Sequence, residues 1–327
     1  MSYNYITVGG ATEDITFYTK AGVLIENPGN VLHPHLLAFD YGQKMKIDKS
    51  SSTFGGGAAN VAVCIARLGL KVGTIVSIGS DSRGDGIINN FKKNRVGIDL
   101  IQKNKSVETG FSFLLEGQGN EHIVFSNRAA NSELKITSSS MSEINKADLV
   151  YISSLSGEWE IVLAKIFKTK TKIAWNPGHI QIKSGHKMLK DYFAKTYVLS
   201  LNKEEATELV YSSGMYKKES KEFFDDVKNL LTSIKSWGVG IVLITNGRNG
   251  ADVYDGKNFY YQSIIKEGKI INTTGAGDAF GASFVSGLKI YKGDVQKAML
   301  LGAKNTASIV THHGAQEGLL TKKEILK

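Results

Sequence analysis

The chain has 327 residues, of which 42% are hydrophobic and 22% are charged, and its formal net charge is +9. This balance excludes a disordered chain, and 3 prolines beside 35 glycines exclude collagen and proline-rich linkers. The lysines are scattered and no apolar run reaches the ~18 residues of a membrane span, so we expect neither nucleic-acid binding nor a membrane anchor. A single cysteine, Cys64, and a start without the features of a signal peptide indicate the cytoplasm.

Short apolar runs alternate with helical segments along most of the chain. Six runs predict strands, at residues 5–8, 73–78, 148–152, 172–175, 196–199 and 240–244. Most of them are apolar on both faces, which is typical of a parallel sheet covered by helices. Helical spacing recurs over residues 59–68, 225–237 and 295–310. The predicted fold is therefore α/β, a doubly wound, mainly parallel sheet with helices on both faces.

Two segments, residues 12–50 and 108–127, interrupt this alternation. The second contains two apolar stretches around a Gly-Gln-Gly-Asn sequence, which predicts a hairpin. We expect both segments to form one small β-sheet, a lid over the core of residues 1–11, 51–107 and 128–327 that binds nucleotide and substrate. An ordinary extra sheet edge is the alternative. Exposed edges of such a lid are open to a second lid, so a homodimer is one expectation.

The segment NTTGAGD, residues 272–278, leads into a helix that is predicted to begin near Gly277. Gly275, Ala276 and Gly277 leave backbone N–H groups uncovered, and a helix N-terminus carries unsatisfied donors and positive potential. Such a segment predicts a cradle for a phosphoryl group. Asp278 at its mouth is then a candidate general base that accepts the proton of an attacking hydroxyl. A helix N-cap is the alternative for this aspartate.

A second glycine-rich loop, FGGGAAN at residues 54–60, precedes the helix predicted over residues 59–68. It matches neither the dinucleotide-binding fingerprint nor the P-loop. Its glycines allow close backbone approach, and Asn60 offers both a donor and an acceptor, which suits a polyhydroxylated ligand. A tight turn with helix packing is the alternative.

Together, GGGAAN near the N-terminus and TTGAGD near the C-terminus resemble the two signatures of the ribokinase-like carbohydrate kinases, the PfkB family. The resemblance spans essentially the whole chain. It implies a ribokinase-like α/β fold with a β-sheet lid, ATP with Mg²⁺, and a small-molecule substrate of the sugar type. It also implies that Asp278 is the base and that Gly275, Ala276 and Gly277 form the anion hole.

The resemblance extends to further residues. Asn202 and Glu205 resemble an N-x-x-E motif that acts around Mg²⁺ and the phosphates, with Glu205 reaching the metal through water; a capping box is the alternative for this pair. The residues that would contact ATP also include Thr245, Gly247, Gly250 and Asn305. The residues that would hold substrate are Asp14, Gly55, Gly56, Asn60, Glu121 and Asn131.

One position departs from the family pattern. Asn272 stands where the family usually has an aspartate that helps to bind an activating monovalent cation, so dependence on such a cation stays open. We predict an ATP-dependent kinase acting on a hydroxyl of a sugar or sugar derivative. The alternatives are a nucleoside kinase, with Phe17, Phe39 or Phe113 forming a slot for the base, and a non-catalytic sensor of sugars or nucleotides.

Overall fold

The computed structural model describes residues 3–27, 35–116, 122–266 and 268–325, apart from the side chains of Glu116 and His122. The strands of this part of the chain are β1 (Tyr5–Val8), β2 (Thr12–Tyr18), β3 (Val23–Glu26), β4 (His35–Ala38), β5 (Lys49–Gly55), β6 (Val72–Ile75), β7 (Ser77–Gly79), β8 (Gln102–Asn104), β9 (Phe111–Glu116), β10 (His122–Asn127), β11 (Leu149–Ile152), β12 (Lys172–Trp175), β13 (Thr196–Asn202), β14 (Ile241–Thr245), β15 (Ala251–Tyr254) and β16 (Phe259–Gln262).

The helices are α1 (Gly57–Arg67), α2 (Ser82–Lys93), α3 (Ser138–Lys146), α4 (Trp159–Ile166), α5 (His179–Phe193), α6 (Lys203–Ser212), α7 (Lys221–Asp225), α8 (Val227–Ser236), α9 (Ala276–Ile290), α10 (Val295–Ile309) and α11 (Lys322–Ile325). Short 3₁₀ turns lie at Ala129–Glu133 and Gly247–Asn249. No helix of the described residues is both long enough and apolar enough to cross a bilayer.

The main sheet has eight strands in the order β16-β15-β14-β13-β12-β11-β1-β6. Its pairs from β6 to β14 are parallel, whereas β15 and β16 add an antiparallel edge. The predicted mainly parallel α/β sheet is thus confirmed. The run predicted as one strand over residues 73–78 is two strands, because β6 pairs with β1 only to Ile75 and β7 then pairs with β8 in a separate sheet.

The main sheet is buried on both faces. Along β14, Ile241 and Leu243 belong to one apolar cluster, while Val242 and Ile244 belong to another. Successive side chains of a strand point to opposite faces, so these clusters lie on the two sides of the sheet. The first contains residues of α1, α9 and α10, and the second contains residues of α4, α5, α6 and α8. The predicted helices on both faces are therefore confirmed.

The predicted small sheet is also present, with strands from both interrupting segments in the order β10-β9-β2-β5. The predicted hairpin is confirmed by the antiparallel pairing of β9 with β10, while its turn, residues 117–120, lies outside the described residues. Strand β2 pairs antiparallel with β5 and parallel with β9. Strand β5 continues to Gly55, so the small sheet leads directly into the glycine loop that precedes α1.

Candidate active site

Polar and small residues follow β1, β11, β13 and β14 at one edge of the main sheet, the edge at which ligands bind in open α/β folds. A cavity of about 500 Å³ lies at the opposite edge, where the strands begin. Lysines line it, and Lys195 donates there to the carbonyl oxygen of Phe167 just beyond the end of α4. Basic side chains near helix C-termini have an ordinary structural role, which explains the lysines of this cavity. The candidate active site is therefore the carboxyl edge of the sheet.

Helix α9 begins at an open entrance. Its N-cap is Gly275, whose φ of 78° lies in the left-handed region that glycine adopts most easily. Among the described residues, no acceptor takes the backbone N–H of Gly277 or Asp278, whereas Ala276 N–H donates to the carbonyl of Thr273 at 3.2 Å. A Cβ placed on Gly277 would meet no atom within 4 Å. The entrance therefore combines free donors with space for an anion.

Asp278 is the third residue of α9, so the alternative reading of this aspartate as the N-cap does not hold. Its Oδ2 accepts a hydrogen bond of 2.8 Å from Nδ2 of Asn60 in α1. Burial raises the pKa of Asp278 to about 6, and the hydrogen bond from Asn60 opposes that rise. A carboxyl with a pKa near 6 is ionised at neutral pH and remains basic enough to accept a proton.

The glycine loop before α1 lies between Asp278 and Asp14. A Cβ on Gly57 would be 3.6 Å from Oδ1 of Asp278, and one on Gly55 would collide with the carboxylate of Asp14. Thr12 donates its hydroxyl to Asp14 at 3.0 Å. Burial raises the pKa of Asp14, while hydrogen bonds from Ser112 and Thr12 counteract it. The loop is thus in contact with two partly buried carboxylates, Asp278 at Gly57 and Asp14 at Gly55.

The motif Asn202-x-x-Glu205 forms the capping box of α6. Asn202 Oδ1 accepts from the N–H of Glu205 at 2.7 Å, and Glu205 Oε2 accepts from the N–H of Asn202 at 2.9 Å. Burial raises the pKa of Glu205, and the hydrogen bond from the N–H of Asn202 opposes that rise. The structural alternative for this motif is therefore present, and no described residue donates to Oε1 of Glu205.

Thr245 and its glycine turn lie beside this motif. Thr245 is the register partner of Asn202 at the ends of β14 and β13. The turn that follows is closed by a 2.8 Å hydrogen bond from Asn246 N–H to the carbonyl of Gly250. A Cβ on Gly247 would meet nothing within 4 Å, so the surface above this turn is open.

Two side chains that were predicted to contact ligands are hydrogen-bonded within the protein instead. Asn305 is fully buried: its Nδ2 donates to Ser283 and Cys64, and its Oδ1 accepts from Leu320 N–H. We therefore correct its predicted contact with ATP, because no atom of this amide faces the site. Asn131 is 4% exposed and uses both ends of its amide on the backbone of Ala11, at 2.9 and 3.1 Å. Its side chain fixes the segment after β1.

Two further positions complete the predicted set. Glu121, predicted to hold substrate, lies outside the described residues. Asn272 accepts a 2.6 Å hydrogen bond from Thr274 N–H through its side-chain oxygen. This short loop contact organises the backbone that leads to Gly275.

The residues present fit a magnesium ion that is held largely by water and by phosphate. No group of three His, Cys, Asp or Glu in the described part of the chain could enclose a metal. Within the described ranges, one carboxylate oxygen of Glu205 has no hydrogen-bond partner, and Mg²⁺ commonly keeps several waters. The indirect contact with Mg²⁺ through Glu205 stays a prediction.

The small sheet faces the α9 entrance across a narrow cleft. Residues of both sides line it: Asp14, Thr16, Tyr18, Ser51, Thr53, Leu114, Asn272, Thr274, His313 and Gly314. Phe17 and Phe113 pack together with ring centroids 4.8 Å apart. They alternate along their strands with the cleft-lining residues and so lie on the other face of the small sheet. The structure therefore places these two rings on the face of the small sheet that points away from the cleft.

Sequence reasoning missed Gln316, whose Nε2 donates to Oδ1 of Asn60 at 3.0 Å. It follows Gly314 and Ala315, where no local pattern marks it. Its partner lies 256 positions earlier in the chain. Only the fold brings these residues together.

Comparison with known proteins agrees with this geometry. Residues 32–322 match the model of the pfkB family carbohydrate kinases. The chain is 25% identical over 288 residues to a nucleoside kinase of Methanocaldococcus jannaschii, covering 86% of this chain and 87% of that protein. It is 28% identical over 314 residues to the ribokinase of Haemophilus influenzae, covering 91% and 96%. The structure of Arabidopsis thaliana ribokinase with ribose and ATP superposes with a TM-score of 0.81 at 19% identity, covering 100% and 98%.

The chain belongs to the pfkB family of carbohydrate kinases. The family assignment and the ribokinase-like fold predicted from the two glycine signatures are thus confirmed. At this level the protein is a sugar or nucleoside kinase.

Proposed function

We propose that this protein transfers the γ-phosphoryl group of ATP to a hydroxyl of a sugar or sugar derivative, with Asp278 as general base. The observation that carries this proposal is the position of Asp278 beside free N–H groups at the open entrance of α9. A base and an anion cradle at one point are what in-line phosphoryl transfer requires.

The proposed reaction is a direct displacement. Asp278 accepts the hydroxyl proton of the acceptor while that oxygen forms a bond to the γ-phosphorus. The bond from the γ-phosphorus to the β,γ-bridging oxygen breaks, and ADP leaves with that electron pair. The free N–H groups of Gly277 and Asp278 stabilise charge on the transferred group. Mg²⁺, when bound, neutralises phosphate charge, and Glu205 with Asn202 would orient its waters.

The binding surfaces follow from the same arrangement. Gly275 and Ala276 shape the anion hole, and the open turn of Thr245, Gly247 and Gly250 contributes to the nucleotide site. For the acceptor, Asp14 with Gly55 and Gly56 form the proposed site, while the amide of Asn60, which donates to Asp278 and accepts from Gln316, holds the base. Asn131 supports this region through Ala11. Glu121 stays a prediction from the sequence, as does the cytoplasmic location.

A sugar is favoured over a nucleoside by the polarity of the small sheet. The strand residues that line the cleft are mostly hydroxyl-bearing or acidic, and the aromatic pair of Phe17 and Phe113 lies on the other face. We propose that this sheet acts as a lid that excludes water during transfer, because water would otherwise accept the phosphoryl group.

The acceptor class is tested by ADP release with ATP over a panel of ribose, fructose, 2-keto-3-deoxygluconate, adenosine and inosine. We expect turnover with one or more of the sugars. Turnover with nucleosides alone would make the protein a nucleoside kinase, and absence of turnover with every acceptor would favour a sensor. Running the panel with and without KCl also settles the role of a monovalent cation beside Asn272.

We propose in addition that two lids pair in a homodimer. Ile123, Val124 and Phe125 of β10 are 37%, 50% and 55% exposed, on the edge strand of the small sheet. An exposed apolar edge strand favours pairing with a second copy. Light scattering should give a dimer for the wild type and a monomer for Phe125→Lys. A monomeric wild type would contradict the proposal.

A further inference from the structure

A continuous chain of side-chain hydrogen bonds ends at the proposed base. Its members, in order from donor to acceptor, are Arg67, Asn94, Asn90, Gln316, Asn60 and Asp278. The five donor–acceptor distances along it are 3.0, 3.1, 2.7, 3.0 and 2.8 Å. The chain joins the end of α1, helix α2 and the segment after α10 to the entrance of α9.

The chemistry of its two ends gives this chain one direction. The guanidinium of Arg67 can only donate, and the ionised carboxylate of Asp278 can only accept. Each of the four carboxamides between them accepts with its oxygen and donates with its nitrogen. Reversing any one amide would place two donors or two acceptors against each other, which is most costly at the buried amides of Gln316 and Asn60.

Gln316 holds the critical position in this chain. It is 6% exposed, and its Oε1 accepts from Asn90 while its Nε2 donates to Oδ1 of Asn60, itself 5% exposed. That donated hydrogen bond decides which end of the Asn60 amide faces Asp278. Were Asn60 reversed, its oxygen would face the carboxylate, and a protonated aspartic acid, which cannot act as a base, would be favoured.

We propose that Gln316 is a positioning residue, which fixes the orientation of Asn60 and thereby keeps the carboxylate of Asp278 ionised and aligned. This inference rests on the proposed role of Asp278 as general base. Gln316 itself touches neither substrate nor ATP in this account. Its effect reaches the reaction only through Asn60.

Other titratable groups face Asp278 from the elements packed around it. They are Cys64 of α1, Tyr151 of β11 and Glu205 of α6. Burial raises the pKa of the Cys64 thiol and of the Tyr151 phenol, so both stay neutral near pH 7. Glu205 is common to every variant below, so differences between variants report on the chain of amides.

The test is a Gln316→Glu substitution. A carboxylate at this position still accepts from Asn90 but cannot donate to Asn60, which then turns its nitrogen towards position 316. The oxygen of Asn60 and the added charge both favour protonated Asp278, so the pKa of Asp278 should rise by ~1 unit or more. Two measurements report this pKa: the ¹³C NMR titration of the Asp278 carboxyl and the acid limb of the dependence of kcat on pH.

Two further substitutions separate positioning from general damage. Gln316→Met removes the donor without adding charge and should raise the pKa of Asp278 by less than Gln316→Glu does. In an Asn60→Ala background, Gln316→Met should cause no additional shift, because its effect passes through Asn60. The control is Gln296→Glu, the same change at an exposed glutamine near the start of α10, which should leave both readouts unchanged.

Unchanged NMR titration and acid limb in folded Gln316→Glu and Gln316→Met would overturn the proposal. A loss of kcat that is equal at every pH would also overturn it, because that result indicates a purely structural glutamine. If Gln316→Glu does not fold, Gln316→Met carries the test. Full turnover of Asp278→Asn would instead overturn the proposed function, and it leaves the NMR result on Gln316 standing.

Discussion

Two helices that pack against each other, α1 and α9, both begin at glycine-rich loops with a left-handed glycine as N-cap, but only α9 has a glycine with open space beside it in its first turn. At α1 the N-cap is Gly56 with a φ of 90°, and a Cβ there would be 2.6 Å from Cα of Ala11. The N–H of Ala59 already donates to the carbonyl of Gly10 at 3.2 Å. At α9 the N-cap Gly275 is packed as closely, since a Cβ there would be 2.6 Å from Cβ of Ala315, but a Cβ on Gly277 would meet nothing within 4 Å and no described residue accepts from the N–H of Gly277.

The comparison shows that glycine serves two different purposes in these loops. In the α1 loop it admits another part of the backbone, and the result is a fixed wall that carries Asn60. In the α9 loop Gly275 likewise admits Ala315, whereas Gly277 leaves space and donors for a ligand. The two loops meet where Asn60 donates to Asp278, so the closed entrance positions the base of the open one.

The largest expected effect comes from removing the base at the open entrance. Asp278→Asn keeps the size of the side chain but cannot accept the hydroxyl proton, so kcat should fall by ~10²-fold or more with little change in ATP affinity. Steady-state kinetics with the accepted sugar and ATP titration measure both quantities. Asp85→Asn is the matched control, since Asp85 also lies in the first turn of a helix, α2, and is exposed; it should leave kcat unchanged.

The two entrances should respond oppositely to one added methyl group. Gly56→Ala forces a left-handed φ on alanine and pushes its Cβ into Ala11, so the free energy of unfolding should fall by roughly 2–4 kcal/mol. Gly277→Ala finds open space and helical backbone, so stability should hold or rise slightly. Gly277→Ala should nevertheless lower turnover, because the methyl group narrows the anion cradle. Denaturant unfolding and kinetics of both variants test this contrast, and equal destabilisation would refute it.

A smaller effect concerns the dependence of stability on pH. The pKa of Asp278 is raised from 3.8 to about 6 in the fold, so the native state holds this proton more tightly than the unfolded chain does. Its contribution to stability therefore falls as pH rises between those two values. Asp278→Asn should remove that dependence and make the protein more stable at pH 7, by roughly 1–2 kcal/mol for this partly exposed group. If the free energy of unfolding changed between pH 4 and pH 7 by the same amount in Asp278→Asn and in the wild type, that result would contradict the burial of this carboxyl.

The sequence was sufficient for the strands whose residues are apolar on both faces and for the two glycine signatures, because these features are local. It missed the antiparallel edge of β15 and β16, two runs of four residues in which buried and half-buried residues alternate in β15 and exposed and half-buried residues alternate in β16. It also placed Asn305 at the ligand, since a polar residue in a family motif does not reveal that its partners are Ser283 and Cys64. The sequence also did not reveal the role of Gln316, because the hydrogen-bond partners of Gln316 come from distant segments of the chain.

The structure of a complex with the accepted sugar and a non-hydrolysable ATP analogue tests the central claim most directly. The account predicts a sugar hydroxyl within about 2.6–3.2 Å of the Asp278 carboxylate. It also predicts that the γ-phosphoryl group accepts from the N–H groups at the start of α9. A hydroxyl that approaches the γ-phosphorus while hydrogen-bonded to Asp14 instead, with Asp278 remote from it, would contradict the account.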